Sequence, residues 1–89
     1  MNRVLVLITL SESGIEKIKA TPELPKQEME FVNRWKEESI LESFFISVSR
    51  KDAVLIFATD ESKTKQLIEI LPYYPYMQRI DYHVLNKEF

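Results

Sequence analysis

The chain has 89 residues, enough for one domain over 1–89 and too few for two independent cores. With 12 Lys and Arg against 14 Asp and Glu, the formal charge is −2, and there is no basic excess to displace counterions from a nucleic-acid backbone. Cysteine is absent and histidine occurs once, which removes disulfides, thiol nucleophiles, iron–sulfur clusters and Cys- or His-rich metal sites.

The first apolar run, Val4–Ile8, predicts a strand over Arg3–Leu10 that is covered on both faces. It is far shorter than the roughly 20 residues that cross a bilayer. It also runs into Ser11-Glu12-Ser13 without a small-residue cleavage site, so it reads as a strand of a cytoplasmic, non-membrane protein rather than as a secretion signal. Ser13-Gly14-Ile15-Glu16 has the spacing of a capping box and predicts a short turn of helix through Ala20. Pro22 and Pro25 bar a helix interior at Thr21–Pro25 but suit a helix start.

Between Lys26 and Ser39 the period becomes helical, with Phe31 and Trp35 four apart and Met29 and Val32 three apart. Glu28, Glu30, Arg34 and Glu37 are expected mostly on the other faces. Ile40–Val48 predicts a strand with Glu42, Phe44, Ile46 and Val48 on one side and Leu41, Ser43, Phe45 and Ser47 on the other. The polar link Ser49–Asp52 predicts a hairpin into the apolar strand Ala53–Thr59. Asp60 is a cap for a helix over Glu61–Leu71, which Pro72 ends. Met77–Leu85 predicts the last strand, with Ile80, Tyr82 and Val84 alternating against Arg79, Asp81 and His83.

This order predicts an α+β fold of ferredoxin-like βαββαβ type: an antiparallel sheet with two helices on one face, strands one and three central. The apolar run on both faces of strand one then calls for cover on the helix-free side. A second copy of the sheet, forming a dimeric α+β barrel, is the simplest cover.

The segment Ile70-Leu71-Pro72-Tyr73-Tyr74-Pro75-Tyr76-Met77 resembles the Leu-Pro-aromatic-aromatic-Pro-Tyr-Met signature of the muconolactone isomerase family. The resemblance runs roughly from Arg3 to Leu85. It implies a homodimer or larger homo-oligomer, a small-molecule pocket between sheet and helices or inside the barrel, and a double-bond shift by proton transfer without metal or organic cofactor. It assigns no catalytic acid or base to a position of this chain. Where the family has a Gly at the end of the first long helix, this chain has Ser39.

Candidate site residues follow from side-chain chemistry. His83 alone has an unperturbed pKa near neutrality, and Asp81, two residues away on the same strand face, is placed to orient it or to act as the base. Arg79 on that face suits the carboxylate that substrates of the resembled family carry. Ser43, Phe45 and Tyr76 are the expected substrate-binding residues. The competing reading makes Arg79, Asp81 and His83 the solvated face of an edge strand, and the tyrosines a packing plug. Two functions therefore stand: a cofactor-free isomerase-like protein acting on a lactone or short carboxylic acid, or a non-catalytic ligand-binding or assembly module on the same barrel. A lone Gly14 builds no phosphate loop, and the apolar third strand offers no RNA-stacking platform.

Overall fold

A computed structural model describes residues 2–89. The elements are β1 (Asn2–Leu10), α1 (Glu12–Ala20), α2 (Glu23–Glu37), β2 (Leu41–Ile46), β3 (Asp52–Phe57), α3 (Glu61–Glu69), a single 3₁₀ turn (Tyr74–Tyr76) and β4 (Met77–Asn86). The sheet is antiparallel throughout, in the order β2-β3-β1-β4. The fold is thus α+β and ferredoxin-like, and the two apolar strands are central as their composition predicts. No described helix is long and apolar enough to cross a membrane.

Strand parity divides the molecule. Val4, Val6 and Ile8 of β1, with Leu55 and Phe57 of β3, are buried against Val32 and Trp35 of α2 and Leu67, Ile68 and Leu71 in and after α3. Trp35 stands edge-on to Phe57, with ring centres 5.7 Å apart, and joins the two layers. The intervening residues point away from the helices. Leu5, Leu7, Val54, Ile56 and Phe45 share this open face by register, with Leu7 39% and Phe45 61% exposed.

Four local expectations are corrected. Three helices, not two, lie on the covered face, because Ser11 rather than Ser13 caps α1: its extended backbone lets Oγ accept the Gly14 N–H at 3.0 Å, and a full helix follows. Next, α2 begins at Glu23 and not Lys26, since Pro25 sits in the first turn, where a missing N–H costs no helical bond. Strand β2 ends at Ile46, and a bulge at Glu42 shifts its register. That extra residue puts Leu41 in the core, although strict alternation puts it on the side of Ser43 and Phe45. Finally, α3 stops at Glu69, while Leu71 packs from the turn beyond it.

Among the described residues, two other than glycine have left-handed backbones, Ser39 and Arg50, with φ of 61° and 64°. Ser39 closes α2 in a Schellman motif: its N–H donates to the Lys36 carbonyl at 3.1 Å, and the Ile40 N–H donates to that of Trp35 at 2.9 Å. The serine thus stands where the motif most favours glycine.

Candidate functional site

A cleft of about 420 Å³ opens between the covered sheet face, α1 and α2, at the end of the sheet where the β2–β3 hairpin turns. Its walls are mostly apolar. Ile8, Phe44 and Leu55 come from the sheet, Ile15 and Ile18 from α1, Met29 and Val32 from α2. Leu71, Tyr73 and Met77 close the end formed by the chain after α3.

One buried carboxyl group lies in this apolar surround. Glu28 is buried on α2, in the same helical row as Val32 and Trp35. Its Oε1 accepts the backbone N–H of Tyr73 at 3.0 Å. Burial pushes its pKa from 4.5 up to about 7, against the pull of that hydrogen bond. A group poised there holds a proton for part of the time at neutral pH, as a proton carrier needs. The same surroundings raise the Tyr73 hydroxyl: burial and the Glu28 charge push it up, and the Arg50 charge draws it back.

The rim carries Lys19, Arg50 and Lys51. The described ion pairs are Arg3–Glu42, Lys65–Glu61 and Arg79–Asp81, so all three rim cations lack an acidic partner. The loop bearing two of them is fixed. The Arg50 N–H donates to the Ser47 carbonyl at 2.8 Å, the Asp52 N–H to Ser47 Oγ at 3.1 Å, and the Leu10 N–H to the Lys51 carbonyl at 2.9 Å. Holding Arg50 at positive φ costs roughly 1–2 kcal/mol, which these bonds help to offset.

The residues singled out from sequence lie elsewhere. Arg79, Asp81 and His83 oppose Thr9, Leu7 and Leu5 on the open sheet face. Asp81 accepts a hydrogen bond from Arg79 Nε at 2.8 Å, and the expected Asp81–His83 pairing is not made. His83 is exposed. Ser43 and Phe45 share the open face but sit on β2, at the opposite edge. Three strand spacings, about 14 Å, separate them from the β4 row, so one protomer does not gather them into one site. Tyr76 lies outside the cleft lining. Its carbonyl accepts the Ser11 N–H at 2.9 Å, and its Cβ lies 2.6 Å from where a Cβ on Gly14 would be, which explains the glycine. Of the tyrosine cluster, Tyr73 is the one that lines the cleft.

Glu28 was readable in principle. Positions 28, 32 and 35 form an i, i+4, i+7 row, which puts Glu28 on the face that Val32 and Trp35 bury rather than on the other faces expected of it. Phe31 and Met29 blur the row by widening the apolar stripe.

Fold and site together define a small α+β protein of ferredoxin-like topology with a sheet–helix cleft that holds one buried acid. The chain matches no protein-family model and no curated protein. Its fold is similar to that of protein Atu4242 from Agrobacterium tumefaciens, a crystal structure 10% identical with a TM-score of 0.50, covering 97% of this chain and 92% of that one. At this identity the likeness speaks for the fold alone.

Proposed function

We propose that the protein is a cofactor-free, isomerase-like binder of a small metabolite, and that the sheet–helix cleft is its site. The observation that carries this reading is an ionisable carboxyl, Glu28, inside an apolar cleft rimmed by three unpaired cations. An apolar ring or chain fills the cleft, and its carboxylate or lactone oxygen meets Arg50, Lys51 or Lys19. The Glu28 carboxylate takes a proton from a carbon next to a carbonyl, and the acid so formed, after exchanging that proton with solvent, delivers one to another carbon of the same molecule. The double bond moves and no atom is gained or lost. Glu28 replaces His83 in the role of proton carrier because it lies in the cleft and His83 lies on the opposite sheet face. The muconolactone isomerase resemblance supports the same chemistry.

The test is deuterium uptake from D₂O into short unsaturated lactones and carboxylic acids, read by proton NMR. Incorporation that Glu28→Gln abolishes and His83→Gln leaves intact supports the assignment. Turnover surviving in Glu28→Gln refutes it.

The open sheet face favours a second reading, assembly. Leu5, Leu7, Val54, Ile56 and Phe45 form an apolar patch without a helix over it, and a second copy packed face to face would cover it. Arg79, Asp81 and His83 would flank that interface. A non-catalytic assembly module would keep this face and use the cleft for binding alone.

A further inference from the structure

We infer that α1 is a hinged cover that opens independently of the core and gives access to the cleft; its link to ligand rests on the reading of that cleft as a ligand site. The first observation is where its apolar side chains go. The continuous core is built from the sheet, α2, α3 and Leu71, and contains no residue of α1. Ile18 is buried, yet it and Ile15 face the cleft, so the space a ligand would occupy separates α1 from the core.

The second observation is how α1 is held. Among the described residues, no side-chain hydrogen bond or ion pair ties Glu12–Ala20 to another element; the one such bond here is the cap from Ser11. Attachment is at the two ends. At the start, the Ser11 N–H holds the Tyr76 carbonyl and Gly14 seats against Tyr76. At the finish, Thr21 leaves the helix with φ −129° and ψ 85°, outside the helical region, and the Leu24 N–H returns to its carbonyl at 3.0 Å. The outward side, with Glu12, Glu16, Lys17 and Lys19 exposed, is already solvated. Swinging α1 away therefore exposes mainly Ile15 and Ile18 and leaves the Trp35–Phe57 core intact. A nine-residue helix has little stability of its own, so it also exchanges its amides once released.

Native-state hydrogen exchange by NMR on the intact chain decides this. The amides of Ile15–Ala20 are expected to exchange at least about tenfold faster than those of Leu67 and Ile68, with rates independent of low denaturant while the α3 rates climb. Gly14→Ala, which drives a methyl into Tyr76, and Ile18→Ala, which removes cleft contacts without touching that seat, are each expected to speed α1 exchange alone. Phenylacetate serves as the ligand probe, and its binding is expected to slow α1 exchange in proportion to saturation. Exchange of α1 in step with α3, at the same rate and the same denaturant dependence, overturns the cover. So does phenylacetate that shifts the Glu28 and Val32 resonances yet leaves α1 exchange unchanged. A failure of phenylacetate and similar acids to shift any cleft resonance counts against the ligand reading alone, because the denaturant dependence decides the cover without a ligand.

Discussion

Glu28→Gln should change the pH dependence of stability in a direction opposite to that of most carboxylates. In the unfolded chain Glu28 ionises around 4.5, and in the folded protein around 7. Below pH 4.5 both states are protonated and the group adds no slope. Between 4.5 and about 7 the folded state holds a proton that the unfolded chain has released, so stability falls as pH rises. Above about 7 both are ionised and the slope vanishes. At about 1.4 kcal/mol per pH unit, the loss across this window is about 3 kcal/mol. Gln keeps the shape and an oxygen for the Tyr73 N–H but does not ionise. Urea denaturation of both proteins at intervals from pH 4 to pH 9 isolates the effect, because the other carboxylates cancel in the difference. The variant should gain about 3 kcal/mol on the wild type between pH 4 and pH 8, with the midpoint of the gain in the 4.5–7 window. A difference that changes by less than about 0.5 kcal/mol over that range refutes the buried, destabilised carboxylate and with it the proton carrier.

Ser39→Gly should stabilise the protein by about 1 kcal/mol in the same assay, since glycine relieves the left-handed backbone of the Schellman motif. Tyr76→Ala should cost about 1–2 kcal/mol, less than a full core aromatic, because Tyr76 is only half-buried; a loss under about 0.5 kcal/mol would make its ring a solvent-facing group. Sedimentation should find a homodimer or a multiple of it at micromolar concentration, and Leu7→Glu or Phe45→Asp should shift it to monomer; a monomeric wild type ends the assembly reading. Binding of phenylacetate should weaken as pH rises through about 7, because the ionised Glu28 repels an anion that Lys19, Arg50 and Lys51 attract, while Asp52 is already engaged by Thr9; affinity that is flat from pH 6 to 8.5 would place the acid head away from Glu28.

The sheet was legible because its signals are one-dimensional. Val4–Ile8 and Ala53–Ala58 are unbroken apolar runs, and only a central strand covers both sides of such a run. Asp60 and Pro72 bracket α3 with a cap and a stop that act over a few residues. Features that depend on tertiary contact were not legible in this way. Ser11, the cap of α1, also donates its N–H to the carbonyl of Tyr76, which lies against Gly14 from far along the chain. At the bulge, the Glu42 carboxylate is held at 2.7 Å by the Arg3 guanidinium from two strands away. The proposed cleft was not legible for a related reason. Alternation correctly places Arg79, Asp81 and His83 on one face, but it does not say whether that face meets helices or stays open. Histidine is the residue with the most suitable intrinsic pKa. The proposed reading draws instead on a common residue, Glu28, whose pKa burial raises.

Strand parity makes the two proposed activities separable, because successive residues of one strand serve different sides. In β1, Ile8 lines the cleft while Leu7 lies on the open face, opposite Asp81. A charge at Leu7 therefore attacks assembly without entering the cleft, and Glu28→Gln attacks the cleft without reaching the open face. The sides meet at Asp52. This residue lines the cleft at the base of the Arg50 loop, and its carboxylate accepts the Thr9 hydroxyl at 2.8 Å beside Arg79 on the open face. Its backbone also closes the hairpin through Ser47, with its carbonyl accepting the Ser47 N–H at 2.9 Å. Packing a second copy over Thr9 would press on this pair, and through it on the loop that aims Arg50. Asp52→Asn weakens the Thr9 contact and leaves the backbone closure in place. If assembly tunes the cleft, this variant should change ligand affinity in the dimer and leave it unaltered in a Leu7→Glu monomer, as isothermal titration of both backgrounds with phenylacetate would read. An equal change in both confines Asp52 to the cleft and makes the two faces independent.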